Sequence, residues 1–153
     1  MNRTRSAACL ALSGASLMLA GLFVGAAVPA PPYPRLMLAA HIGFTGSGLI
    51  SMAAALLVSA SLCSLTPRAS RVVVWAHLTL WPLGFSEVAA AFWGTNQALR
   101  IASAQAGATG GAPWQEAVVT ACHAVPGLAL IVAWTILVWG TWQVYRSAAT
   151  GTD

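Results

Sequence analysis

The chain has 153 residues, of which 58% are hydrophobic and only 7% are charged, and its mean hydropathy is +0.76. A water-soluble domain of this length cannot bury so much apolar surface, so the composition predicts an integral membrane protein. The net charge of +4 comes from arginines spread over several loops, and lysine is absent. The sequence therefore has no clustered basic patch for nucleic acid.

Four apolar segments predict an all-α fold, with residues 1–153 forming a single transmembrane domain built as a four-helix bundle. Each segment is long enough to cross a bilayer. The first segment follows Arg3 and Arg5 and is too long for the apolar part of a signal peptide, so we interpret it as a retained helix. The predicted helices cover about residues 7–28, 36–65, 72–94 and 115–145.

The arginines predict the orientation of this bundle. With the N-terminus inside, five arginines lie on the inner side (Arg3, Arg5, Arg68, Arg71 and Arg146) and two on the outer side (Arg35 and Arg100). Because positive residues concentrate in cytoplasmic loops, both termini are expected in the cytoplasm and the protein in the cytoplasmic (inner) membrane.

The second predicted helix contains the first candidate site residue, His41. A titratable imidazole inside an apolar membrane segment is costly and is therefore a candidate for function. Thr45 and Gly48 lie on the same side of the helix and are predicted to leave room for a flat, bulky group. The alternative is a structural histidine that only hydrogen-bonds to a neighbouring helix.

Small residues recur every four positions on the opposite side of this helix. Such a stripe allows another helix backbone to approach closely, and here it predicts a tight helix contact and self-association. Its members are Ala39, Gly43, Ser47, Ser51, Ala55 and Ser59.

Counting residues from the outer membrane surface places His41, Glu87 and His123 at similar depths of roughly 8–12 Å, on three different helices. Glu87 is predicted to be the only acid inside the membrane, so it must pair, protonate or face a polar cavity. His41 and His123 are its expected partners. The alternative role for Glu87 is to hold helices together by bonding to a histidine. His77 lies near the inner end of its helix and is predicted to be structural.

At these positions the sequence resembles a known family. The histidine–x–glycine pattern at His41, the later Gly48 and the glycine–phenylalanine–serine run at 84–86 resemble the styrene oxide isomerases. The proline-rich connector after the first helix, the tryptophan–glycine pair at 93–94 and the segment 110–116 are similar to the related hydroxylaminobenzene mutases.

The resemblance implies a small membrane homotrimer that binds haem b through one histidine. It places the iron ligand at His41, with Thr45 and Gly48 beside the cofactor, and it makes Glu87 and Ser47 the candidate catalytic residues. Ferric haem would act as a Lewis acid on a small apolar aromatic substrate, either an epoxide or an aryl hydroxylamine. The implied reaction is an intramolecular rearrangement without net redox change.

Several family positions differ in this chain. Ser47 replaces an expected asparagine, and Leu83 and Glu87 stand where an aspartate and an asparagine are expected. Ala91 stands at the position of an expected tyrosine. The resemblance therefore implies the scaffold and the haem ligand, while most groups that orient the epoxide are different.

Two other functions remain open from the sequence. His41 and His123 are predicted at similar depth, so both could ligate one haem iron in a non-enzymatic electron carrier. The chain could also be a structural or partner subunit without a cofactor. The visible spectrum of the purified protein distinguishes these alternatives.

Overall fold

A computed structural model describes residues 2–151, and within that range all regular structure is helical. Four helical spans are long and apolar enough to cross a membrane, namely α1, α2, the continuous stretch of α3 and α4, and α6. This result confirms the predicted all-α fold with four spans. The helices are α1 (Arg3–Ala26), α2 (Pro34–Ser59), α3 (Pro67–Leu78), α4 (Leu80–Trp93), α5 (Arg100–Ala106) and α6 (Pro113–Thr150).

The second predicted helix ends at Ser59, earlier than the predicted end at residue 65. Ser61 has a φ of 63°, a left-handed conformation that a helix cannot continue through. The chain then folds back against α6, where the Ser64 amide donates a hydrogen bond of 3.1 Å to the Gly140 carbonyl. Long-range packing therefore ends α2 in a segment that is still apolar.

The third predicted helix is divided into α3 and α4 at Thr79. Pro82 has no amide proton to donate to the carbonyl one turn earlier, which is the physical reason for a break here. Pro82 and Gly84, near the middle of the predicted helix, favour a kink in the sequence, in agreement with this break. After α4, Gly94 adopts a φ of 68° and ends the helix, and the separate short helix α5 begins at Arg100.

The fourth predicted helix, α6, is longer than expected and runs without interruption through Pro126. Proline is tolerated inside membrane helices because neighbouring groups can compensate for the lost backbone hydrogen bond.

Close packing of α1 on α2 dominates the bundle, and α4 and α6 complete it. Glycines explain the short distance between α1 and α2, since a Cβ placed on Gly14 would lie 2.9 Å from the Gly48 carbonyl oxygen. Phe44 is 1% exposed and packs with Leu17 and Leu80 in one of the buried apolar clusters of the bundle.

The small-residue stripe of α2 faces the interior of this bundle. Ser47, Ser51 and Ala55 are buried, and Gly43 faces the carboxylate of Glu87 on α4. The stripe therefore makes the predicted close helix contact within the chain. Its buried part is occupied by contacts within the chain, and self-association stays a prediction.

Candidate functional site

His41 faces α1 and is half-buried. Its Nδ1 atom lies 2.7 Å from the carbonyl oxygen of Gly21. A carbonyl oxygen can only accept a hydrogen bond, so Nδ1 carries the proton and donates it. The neutral ring therefore keeps the lone pair on Nε2, which is the nitrogen that remains for a ligand.

Two glycines of α1 make this position of the imidazole possible. A Cβ on Gly25 would lie only 2.7 Å from His41 Nδ1, and Gly21 supplies the accepting carbonyl. In the sequence, two glycines four residues apart are typical of close helix packing, but sequence reasoning missed the carbonyl partner of His41. The Gly21/Gly25 pair was the available signal for this contact, because an imidazole ring can reach the backbone of a neighbouring helix only where that helix has no side chains in the way.

Thr45 and Gly48 lie on the α1 side of α2, as His41 does. The Thr45 hydroxyl donates to the His41 carbonyl at 2.9 Å. A Cβ on Gly48 would lie 2.6 Å from Met18 Cγ and 2.8 Å from the Gly14 carbonyl oxygen. Helix α1 thus fills the space beside Gly48, and the predicted clearance for a flat group is not found there.

Glu87 is buried, with 7% exposure, and pairs with a histidine from another helix. Its Oε1 atom lies 3.4 Å from Nε2 of His123. Gly43, two residues after His41, faces the same carboxylate, so the layer predicted from residue counting is present. His41 is nevertheless not a partner of Glu87, because its ring is bonded to α1.

The Glu87–His123 pair brings Nε2 of the imidazole and Oε1 of the carboxylate to face each other. The Nδ1 atom of His123 lies 2.7 Å from the Val119 carbonyl oxygen and must be the donor there. Nε2 is therefore the ring nitrogen of His123 that faces the carboxylate. The second carboxylate oxygen, Oε2, is buried and has no hydrogen-bond partner among residues 2–151.

Ser47 lies on the Glu87 side of α2. It follows Gly43 by four residues, which places both on one helix face, and it is 7% exposed. His41 points roughly 200° away from Gly43 around the helix axis. The structure therefore divides the predicted site into two sets on opposite sides of α2, with His41, Thr45 and Gly48 toward α1 and Ser47 and Glu87 toward the interior.

His123 and His41 face different neighbours in the bundle. One of the ring nitrogens of His123 bonds to Val119 and the other faces Glu87, while His41 faces α1.

His77 lies apart from this layer, as predicted. It is fully buried beside Trp134, and its Nδ1 donates to the Val73 carbonyl at 2.8 Å.

Glu116 is a buried acid that sequence reasoning missed, since Glu87 was expected to be the only acid within the spans. It is 4% exposed in the first turn of α6. Its carboxylate accepts hydrogen bonds of 2.8–3.1 Å from the amides of Gly111, Asn96 and Gln97. These bonds hold the segment after α4 against the start of α6. The available signal in the sequence was the position of Glu116, an acidic residue shortly after the glycine-rich loop.

Among the side chains of residues 2–151, no cluster of three or more histidines, cysteines or acids is placed to hold a bare metal ion. Haem makes a smaller demand on the protein, because its porphyrin supplies four nitrogens and one imidazole suffices as the axial ligand. His41, with its tautomer fixed by Gly21, is the candidate for that imidazole.

Comparison with known proteins identifies the family. The model of the family described as styrene oxide isomerase matches residues 6–142, which is most of the chain. No similar protein was found among curated proteins or among solved structures. With its four apolar spans, the chain therefore belongs to the styrene oxide isomerase family and is an epoxide isomerase-like membrane protein.

Proposed function

We propose that this protein is a haem-dependent membrane isomerase that rearranges a small aromatic epoxide or aryl hydroxylamine without net redox change. The single observation that carries the proposal is the hydrogen bond between His41 Nδ1 and the Gly21 carbonyl. This bond leaves Nε2 free to bind haem iron, and it is the second-nitrogen contact that orients metal-binding histidines. When bound, haem b would supply a Lewis acid for the substrate oxygen.

The Glu87–His123 pair is proposed to handle the proton in this reaction. An isomerisation of this kind moves atoms within one molecule, so a proton taken up at one step is returned at another. A proton passed between Oε1 and Nε2, which lie 3.4 Å apart, would allow donation and recovery at the same pair. The His123 side chain is 22% exposed, so the pair can be reached from the α6 side.

Ser47 is proposed to assist on the same interior face of α2. It lies one turn from Gly43, whose missing side chain leaves the space that the Glu87 carboxylate occupies. Because α2 separates this face from His41, the proposal assigns distinct tasks to the two sides. His41 holds the cofactor, while Glu87 and Ser47 orient substrate or move protons, so mutations should separate haem content from turnover.

A homo-oligomer, a trimer by the family resemblance, is part of the proposal. His41 is only half-buried, and large apolar side chains near it in sequence or on the facing helix are exposed, with Ile42 at 58% and Leu22 at 60%. A haem bound to Nε2 would need apolar contacts on its remaining face, which a second copy of the chain or lipid would supply.

We also propose that the protein lies in the cytoplasmic membrane with both termini in the cytoplasm.

Spectroscopy and product analysis of the purified protein test this function. A Soret band should be present, and incubation with styrene oxide or phenylhydroxylamine should give a product of unchanged mass and altered structure. The preferred substrate identifies the reaction as epoxide isomerisation or hydroxyl migration. A protein without a Soret band and without turnover on either substrate contradicts the proposal and favours a structural subunit.

Reporter fusions test the proposed orientation. A cytoplasmic reporter fused after residue 151 should be active, and an external reporter inserted near Gly110 should also be active. The opposite pattern would place the termini outside and reverse the proposed direction of the bundle.

A further inference from the structure

A long apolar groove lies between α3 and α6, away from His41 and Glu87. Its volume is about 670 Å³. Residues at helical spacing form its α3 side, and its lining includes the small side chains of Ala76 and Ala129. The apolar and neutral lining comprises Val72, Ala76, Thr79, Ala129 and Val132.

Two arginines close one end of this groove. Arg68 and Arg71 line it in the first turns of α3, and both are exposed. Neither guanidinium forms an ion pair or a hydrogen bond with any side chain or backbone group between residues 2 and 151. The aromatic ring of Trp75, which is 68% exposed, lies one turn further along the same helix. The groove is therefore cationic at one end and apolar along its length.

The dimensions of the groove match one membrane leaflet. From Arg68 to Thr79 the helix rises roughly 17 Å, which is close to half of the ~30 Å hydrocarbon core. Arginine near the end of a membrane span lies at the level of lipid headgroups, where exposed tryptophan is also favoured. Guanidinium groups bind phosphate through paired hydrogen bonds.

We propose that this groove binds one anionic phospholipid, with the phosphate at Arg68 and Arg71 and an acyl chain along Val72, Ala76 and Val132. The positive charge of the two arginines selects an anionic headgroup. The small side chains of Ala76 and Ala129 leave room for the acyl chain. Basic sites between membrane helices are a known way for proteins to hold anionic lipids. This site is independent of haem and of the proposed isomerase reaction.

Native mass spectrometry of the full-length protein tests the site with phosphatidylglycerol and phosphatidylcholine of identical acyl chains. The wild type should retain phosphatidylglycerol in preference to phosphatidylcholine. The double variant Arg68→Gln/Arg71→Gln should bind phosphatidylglycerol roughly tenfold or more weakly, since each arginine near an anionic headgroup contributes on the order of a fivefold factor. Val132→Phe should also weaken binding, because it fills the groove and keeps both charges.

The matched control is Arg5→Gln/Arg146→Gln, which removes the same charge outside the groove and should leave lipid retention unchanged. Equal loss in this control would mean general attraction to anionic lipid and would overturn the proposal. Displacement of the lipid by inorganic phosphate with no effect of Val132→Phe would indicate a free-anion site instead. A change in oligomer mass without a change in lipid binding would identify the groove as an interface between copies, which also contradicts the proposal.

Discussion

His41 and Gly21 are joined by a hydrogen bond of 2.7 Å from the imidazole Nδ1 to a backbone carbonyl of the neighbouring helix. The bond fixes both the tautomer and the orientation of the ring. It does so from α1, so the ability of His41 to bind a metal depends on helix packing as much as on the residue itself.

Gly25→Ala should reduce haem binding without changing His41. The added Cβ would lie 2.7 Å from His41 Nδ1, so the ring must move away from its bond to Gly21. We expect a weaker Soret band per protein and faster loss of haem to an acceptor such as apomyoglobin. Gly46→Ala is the control, because a Cβ there meets no atom within 4 Å. Equal haem retention in both variants would show that the Gly21 bond does not support the ligand.

Glu87→Gln should keep haem and lose turnover. The amide has nearly the shape of the acid but cannot exchange a proton with His123, and general acid–base catalysis typically contributes about 10²–10⁴-fold to a rate. The measurement is kcat on the preferred substrate together with the Soret absorbance. Full activity would reduce Glu87 to a packing role, and a lost Soret band would connect it to the cofactor instead.

Gly43→Ala should lower turnover through Glu87 rather than through haem. A methyl group at this position would occupy the space of the Glu87 carboxylate and push it away from its present contact with His123. We expect a reduced kcat with a wild-type haem spectrum. Gly127→Ala, which meets open space on α6, provides the matched control. Unchanged kcat in Gly43→Ala would mean that the position of the carboxylate is unimportant for the reaction.

Glu116→Gln should destabilise the junction between α4 and the start of α6 without a direct effect on chemistry. The carboxylate accepts three amide hydrogen bonds, and an amide side chain has only one oxygen to accept them. The expected loss is about 1–3 kcal/mol, seen as a lower Tm at unchanged kcat of the folded fraction. Thr120→Ala, an exposed change one turn later, should leave Tm unaltered. A wild-type Tm for Glu116→Gln would contradict this role.

The sequence predicts the four spans well because each is an apolar run bounded by proline, glycine or arginine. Pro82 also predicts the break between α3 and α4, since the missing amide proton is a local property. The end of α2 is different. The chain turns at Ser61, and Ser64 then donates a hydrogen bond to the Gly140 carbonyl of α6. Hydropathy along the sequence contains no signal for that contact.

For the site, residue counting gives depth but not direction. It places Glu87 and His123 in one layer, and the structure joins them at 3.4 Å. Which side of α2 faces which neighbour depends on the packing of α1, which turns His41 toward Gly21 and leaves Glu87 on the opposite side. Glu116 was missed for a related reason, because its three amide donors come from segments before its own helix.

The central claim, that His41 is the iron ligand, is tested most directly by the visible absorption spectrum of purified His41→Ala beside His123→Ala. The apolar spans do not depend on this ring, so His41→Ala should still be recovered from membranes. Our account predicts that His41→Ala has no Soret band and that His123→Ala keeps one. A normal Soret band in His41→Ala, with loss of haem in His123→Ala, would contradict it and assign the iron to the other histidine.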